Sequence, residues 1–180
     1  MSSILDKYKN EVVPKIKEEF AIKNDLAVPV VGKITLNASA TDALVNRDVL
    51  EKIKDQLAVI AGQRPRTTLA KRAISSFKLR AKDPIGAMVT LRGRRAWDFL
   101  EKFISTVVPK MRDFRGVPQS KFDRFGNYSF GLSEQILFPE IDYAKIDKIR
   151  GLVVTIVIKN SNQEKSKRFL ELLGLPFKKD

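Results

Sequence analysis

The sequence predicts an α+β fold: one domain over residues 1–180, a largely antiparallel sheet, helices packed on one face, and a long basic loop. Three observations carry that reading. Segments with helical period and segments with period-two alternation intermix along the chain. The 180 residues, 43% of them hydrophobic, suffice for one well-buried core and are short for two full domains. No internal repeat or low-complexity linker divides them.

The elements follow in order. Ile4, Tyr8, Val12, Ile16 and Phe20 recur at helical spacing, so Ser3 to Phe20 reads as an amphipathic helix, with a kink or restart at Pro14. VVGKITLNAS (30–39) reads as a strand with Ile34 and Leu36 on one face and Lys33, Thr35 and Asn37 on the other. A second helix follows, with Thr41 or Asp42 near its cap, a stripe of Leu50, Ile53, Leu57 and Ile60, and Gly62 as its stop. RPRTTLA is a short strand, Lys71 to Pro84 a basic loop, and GAMVTLRG a strand with Ala87, Val89 and Leu91 inward and Met88, Thr90 and Arg92 outward. A third helix, Arg94 to Val108, carries Trp97, Leu100, Phe103, Ile104 and Val107 and stops before Pro109. KMRDFRGVPQSKFDRFGN is loop-like, and YSFGLSEQILFPEIDY short strands or turns. LVVTIVI (152–158) is apolar on both faces, as in a central strand covered at least in part on both sides. Ser161 or Asn162 caps a last helix with Phe169, Leu170, Leu172 and Leu173, closed by Gly174 and Pro176.

Charge narrows the function. Thirty-four Lys and Arg against 21 Asp and Glu leave a net +13. Such a surplus repels itself and favours a polyanionic partner, nucleic acid before an anionic membrane. With no Cys and no His, a thiolate nucleophile, a Ser-His-Asp triad, ordinary zinc ligation and disulfides are excluded. No cofactor motif is present: there is no Gly-rich phosphate loop of either common kind. The first twenty residues lack the continuous apolar run of a secretory leader, and no stretch approaches the ~20 apolar residues of a membrane span. The expectation is a soluble cytoplasmic protein. The first helix also carries Asp6, Glu11, Glu18 and Glu19, which makes it a poor membrane-surface helix.

Between Asp55 and Asp98 the only acid is Asp83, while Arg64, Arg66, Lys71, Arg72, Lys78, Arg80, Lys82, Arg92, Arg94 and Arg95 are basic. Ordinary surfaces mix the signs, so this run points to nucleic-acid contact over a solvated face. Phe77 beside Lys78 and Arg80 has two readings: a ring that stacks on a base or ribose, or one tucked into the core. Lys33, Thr35, Asn37, Thr90 and Arg92 share one sheet side, suited to phosphates and 2′-hydroxyls, or simply facing solvent. RDFRG (112–116) and FDRFGNY (122–128) form surface loops for RNA or a protein partner, or pair internally through Asp113 or Asp123. Glu140 and Asp142 with Lys145 faintly outline a metal-dependent nuclease cluster, against the commoner solvated acids.

Several segments together resemble the bacterial large-subunit ribosomal protein L-five family: GQRPRTTLAKRAISSFKLRAKDPIGAMVTLRG, VVPKMRDFRG, FDRFGNY, EQILFPEIDYAKIDKIRGL and LLGLPFKKD. They run in the family's order over nearly the whole chain, and RDFRG and FPEIDY are specific to it. The resemblance implies a non-enzymatic protein of the large subunit's central protuberance, a monomer within the ribosome, bound to 5S and other large-subunit rRNA. It places 5S contacts on Asn37, Gln63 and Thr90, supported by Lys33, Lys71 and Arg92. It implies that a loop with Ser75, Ser76, Phe77, Lys78 and Arg80 reaches peptidyl-site transfer RNA, which moves Phe77 toward an exposed role. Arg112, Asp113, Phe114 and Arg115 would meet a small-subunit head protein as an intersubunit bridge. Two turns depart from the pattern. NASATDA lacks the glycine that follows Asn-Met in the family, and FDRFGNY has Arg124 for a glycine and Phe125 for an arginine. A general basic RNA-binding module or RNA chaperone without 5S preference is the alternative.

Overall fold

The computed structural model describes residues 3–44, 46–111, 116–143 and 146–178. Five strands, β1 (Val30–Ser39), β2 (Arg66–Leu69), β3 (Pro84–Leu91), β4 (Tyr128–Leu132) and β5 (Leu152–Lys159), form an antiparallel sheet in the order β2-β3-β1-β5-β4. The helices are α1 (Ile4–Lys7), α2 (Val13–Glu19), α3 (Arg47–Ala61), α4 (Arg94–Lys102) and α5 (Gln163–Leu173). This is the expected α+β class. The chain gathers into two compact units, one of Met1–Ile34, Arg92–Phe130 and Thr155–Asp180, the other of Thr35–Leu91 and Gly131–Val154.

The first unit has an aromatic core. Tyr8, directly after α1, lies 4.9 Å from Trp97 of α4 and 5.9 Å from Phe169 of α5. Tyr128 stands among Phe122, Phe130 and Phe177 at 4.7, 6.5 and 5.7 Å. Its hydroxyl donates to the Pro118 carbonyl (3.1 Å), and burial pushes the phenol well above its usual range.

Pro14 and Pro109 both lie in the tetrapeptide VVPK, and the chain treats them alike. α1 opens into a π turn, Tyr8–Val12, before Pro14, and α4 opens into another, Phe103–Val107, before Pro109. Proline lacks an N–H, and its ring crowds the carbonyl four residues back. The helix widens instead, so that Val13 donates to the Tyr8 carbonyl and Val108 to the Phe103 carbonyl, each five residues back. Pro14 therefore restarts the helix as expected. The third helix, expected to stop before Pro109, instead carries that proline inside a final 3₁₀ turn, Val108–Lys110.

In the second unit α3 packs on β3 with Leu50, Ile53, Leu57 and Ile60 buried, the stripe read from spacing. Its cap is neither Thr41 nor Asp42, which lie in a separate 3₁₀ turn, Thr41–Leu44. Asn46 takes the position, its side chain accepting from the Asp48 N–H at 2.9 Å. Asn162 caps α5 in the same manner, accepting from Lys165.

Each long strand buries one face. Ile34, Leu36 and Ala38 of β1 and Ala87, Val89 and Leu91 of β3 are buried, while the residues between them are open or half-open. β5 has the partial cover expected of it: Leu152, Val154, Ile156 and Ile158 are buried on one face, while on the other Thr155 and Val157 are half-buried and Val153 is 42% exposed. Helices cover one side of such a sheet, and β-branched residues suit either side of a strand by shape as much as by burial.

The turn written FDRFGNY, one of the two departures from the family pattern, is closed by Asp123. The Asp123 carboxylate accepts from the N–H groups of Phe125 (2.9 Å) and Asn127 (2.8 Å) and from the Asn127 amide (2.7 Å). Gly126 holds φ +80°, and a Cβ there would meet the Asn162 carbonyl oxygen at 2.5 Å. Gly62, closing α3 at φ +61°, has nothing within 4 Å. Gly62→Ala should therefore cost about 1 kcal/mol, for the left-handed backbone alone. Gly126→Ala should cost roughly 3 kcal/mol, because overpacking adds to it. Urea melts of both variants test this, and equal losses would refute the clash at Gly126.

Candidate nucleic-acid interface

In the second unit, β1 presents Thr35, Asn37 and Ser39 away from the buried side, and β3 presents Met88 and Thr90. β2 pairs antiparallel with β3, setting Arg66 opposite Met88 and Thr68 opposite Gly86, so the open face continues onto β2. Asn37 is exposed, and its side chain has no partner among the described residues. Gln63, just past α3, donates its amide to the Thr90 carbonyl at 3.2 Å. Two of the expected contact residues are thus tied together, and Gln63 is oriented by the end of β3. Lys71 stands exposed at the base of the following hairpin. Lys33 and Arg92 belong to the first unit, Lys33 half-exposed on β1 and Arg92 exposed directly after β3.

The segment expected as a loop from Lys71 to Pro84 is a built extension of the β2–β3 hairpin. Ile74 and Leu79 bond to each other in both directions, at 2.9 and 3.1 Å. Ala70 donates to Asp83 and Lys82 to Ala70, both at 2.8 Å, and the Asp83 carboxylate accepts from the Arg80 N–H at 2.8 Å. A 3₁₀ turn, Ser75–Phe77, forms the tip and ends in Lys78 with a left-handed backbone, φ +52°. Non-glycine residues adopt that conformation only when their surroundings hold them there. Ser75, Ser76, Lys78 and Arg80 are exposed, and Phe77 is 64% exposed, so the core reading of Phe77 is set aside.

Arg64, Arg66, Lys71, Arg72, Lys78, Arg80 and Lys82 are all exposed, and none forms an ion pair with a described residue. The same unit pairs other cations. Arg150 holds Asp147 with two bonds (2.8 and 2.9 Å), Lys148 holds Asp42 (2.7 Å), and Lys52 stands 4.0 Å from Asp147. The Arg150 guanidinium keeps the Asp147 carboxyl well below the usual carboxylate range. Buried Gln135 braces this cluster, donating to the Lys148 carbonyl (2.8 Å) and accepting from the Arg150 N–H. Sequence reading missed these pairs because their partners are distant in the chain, although Asp147 and Arg150 at i, i+3 were visible. It missed also an apolar cavity of about 210 Å³ under Phe77, lined by Ser39, Ala40, Leu44, Leu79 and Ile85.

Other sequence expectations fare unevenly. Arg112, Asp113, Phe114 and Arg115 lie outside the described residues, as does Lys145. Among the described residues no group of three acids is placed to hold a metal ion. No described helix is long and apolar enough to cross a membrane.

Comparison with known proteins gives a concordant picture. The family model described as ribosomal protein L5 matches residues 24–80, and that described as the ribosomal L5P family C-terminus matches 84–177. The large ribosomal subunit protein uL5 of Chloroflexus aurantiacus is 52% identical over 173 residues, 96% of each chain. That of Thermoanaerobacter sp. is 48% identical over 179 residues, 99% of this chain and all of the relative. That of Desulfatibacillum aliphaticivorans is 45% identical over 179 residues with the same coverage.

The Asp147–Arg150 pair sets an acid-stability expectation. A carboxyl whose folded pKa is depressed contributes stability above its unfolded value, near 3.9, and loses it as pH falls below that value. Asp147→Asn should be less stable than the parent at pH 7 and should lose less on going from pH 5 to pH 2. Parallel acid limbs in the two urea-midpoint curves would sink this assignment.

Proposed function

The chain belongs to the ribosomal protein L5 family, and from that premise we propose that it is a structural constituent of the large ribosomal subunit that binds 5S rRNA in the central protuberance. The family is a structural one and not an enzyme. One observation carries the RNA reading: seven exposed cations without acid partners among the described residues stand on and beside the β2–β3 hairpin, while elsewhere in the unit Lys52, Lys148 and Arg150 are paired with Asp42 and Asp147. Phosphate contacts from such cations supply affinity and make it salt-dependent.

In this reading Asn37, Gln63 and Thr90 supply hydrogen bonds that set position on 5S rRNA, with Lys33, Lys71 and Arg92 on its phosphates. The hairpin tip, Ser75, Ser76, Phe77, Lys78 and Arg80, reaches peptidyl-site transfer RNA. Arg112 to Arg115 meet a small-subunit head protein as an intersubunit bridge. The protein acts as one RNA-binding domain, a monomer within a cytoplasmic ribosome, in contact also with the other large-subunit rRNA. The exposure of Asn37, the Gln63–Thr90 bond and the projecting tip support this assignment of roles.

Binding to 5S rRNA and to an unrelated RNA of equal length, across a salt series, tests it. The expectation is that 5S rRNA stays bound at salt that releases the control. Equal slopes and midpoints would instead favour a general basic RNA-binding module. Asn37→Ala and Thr90→Ala should each weaken 5S binding by ~1 to 3 kcal/mol where the lost hydrogen bond is buried at the interface. Unchanged affinity in both would remove them from the site. Deleting residues 72–81 should spare 5S binding and impair the transfer-RNA contact on the ribosome.

A further inference from the structure

We propose that the cavity beneath Phe77 seats a single unpaired base of an RNA strand, so that the hairpin tip reads an unstacked nucleotide as well as phosphate charge. The inference deepens the RNA-binding reading above and rests on it. It starts from an irregularity in the strand pairing. Thr68 lies opposite Gly86, but Leu69 lies opposite Pro84, so Ile85 has no partner on β2. An unmatched residue breaks the alternation of its strand and re-aims its side chain. Ile85 consequently lines the cavity, together with Leu44 of the preceding 3₁₀ turn and Leu79 of the hairpin. The Ile85 carbonyl accepts from the Ala40 N–H at 3.1 Å, which fixes the floor.

Phe77 belongs to the wall of this cavity and is still 64% exposed. A ring in that position has a face to offer. The volume, about 210 Å³, is several times the ~30 Å³ share of one water and below the roughly 300–1,000 Å³ of drug-sized ligand sites. It suits one planar heterocycle. The walls are apolar except at Ser39, whose hydroxyl has no partner among the described residues and can meet a base edge. An aromatic platform with flanking cations is the usual means of holding a single-stranded base.

Charge decides between a base and an apolar protein side chain. Lys78 follows Phe77 directly, and Arg80 lies two residues further along the same arm. Lys71 and Arg72 occupy the other arm, all four exposed without acid partners among the described residues. A nucleotide delivers its base and its phosphate together, which matches an apolar cavity beside these cations. The tip is also preorganised: the paired Ile74–Leu79 bonds and the left-handed Lys78 hold Phe77 in place before any ligand arrives.

The test uses the full chain and two RNA duplexes of one sequence, fully paired or carrying one bulged adenine, at fixed salt. Phe77→Ala and Phe77→Leu are compared with the parent, the leucine keeping apolar volume while removing the ring. The expectation is that the parent prefers the bulged duplex and that both variants lose on the order of ten-fold on it, with no change on the paired duplex. Phe77→Trp should keep the preference, and its new exposed indole should be quenched by the bulged duplex alone. Equal binding of both duplexes by the parent, or equal losses on both in the variants, overturns the base seat while leaving RNA binding intact. A parent that binds neither duplex while it still binds 5S rRNA overturns the base seat alone, and one that binds none of the three RNAs overturns the RNA reading together with it. Phe77 is exposed, so all three variants should melt with the parent; should Phe77→Ala misfold, Phe77→Leu and Phe77→Trp decide alone.

Discussion

Period-two alternation along β1 and β3 is the constraint on which the candidate interface depends. Ile34, Leu36 and Ala38, with Ala87, Val89 and Leu91, are buried on one side. That leaves Thr35, Asn37, Ser39, Met88 and Thr90 on the other, with no further choice to make. A slip of one residue in either strand would exchange the two sets. Burying Ile34, Leu36, Val89 and Leu91 contributes about 1.5–3 kcal/mol each. The polar face is therefore held in place by the apolar face behind it, and its residues need contribute nothing to stability. A strongly basic chain benefits from that division. Cations on the hairpin and contact residues on the strands are free to be set by a partner's chemistry.

Where alternation is broken, the structure gains a feature that the regular pattern could not make. The unmatched Ile85 turns a strand side chain toward the hairpin and lets Gly86 and Ala87 be buried in succession. The repeated VVPK does something comparable in the first unit. Each copy forces one wide turn into a helix, and the helix continues past its proline. In both cases a local rule is violated at one residue and restored within a few.

Most of the fold was legible because it rests on period and punctuation. The buried stripe of α3, the inward set of β3 and the stop at Gly62 follow from spacing alone. What escaped depends on choices that spacing does not rank. Thr41, Asp42 and Asn46 are all acceptable caps, and the 3₁₀ turn that uses the first two left the third to α3. Pro109 read as a stop because a π turn has no composition signal of its own. How far Val153 and Val157 would be covered was not legible either, because β-branched residues favour strands irrespective of what covers them. In the candidate site, the polar residues of the open face were legible from alternation. The Gln63–Thr90 bond and the cavity required knowing which strands pair, since their residues meet only through that pairing.

Charge segregation follows from the same pairing. The acids of the second unit are not spread evenly among its cations. Asp42 and Asp147 are committed to Lys148, Arg150 and Lys52. Asp83, the only acid of the hairpin, is spent on a backbone N–H of Arg80 rather than on a side chain. Had Asp83 paired with Arg80 or Lys82, the tip would have lost part of its field, and exposed pairs of that kind add little stability in return. Committing it to the backbone orders the hairpin and leaves its cations without an acid partner among the described residues. The geometry that fixes Phe77 over its cavity and the charge that surrounds it thus have one origin, in the way residues 70–83 close on themselves.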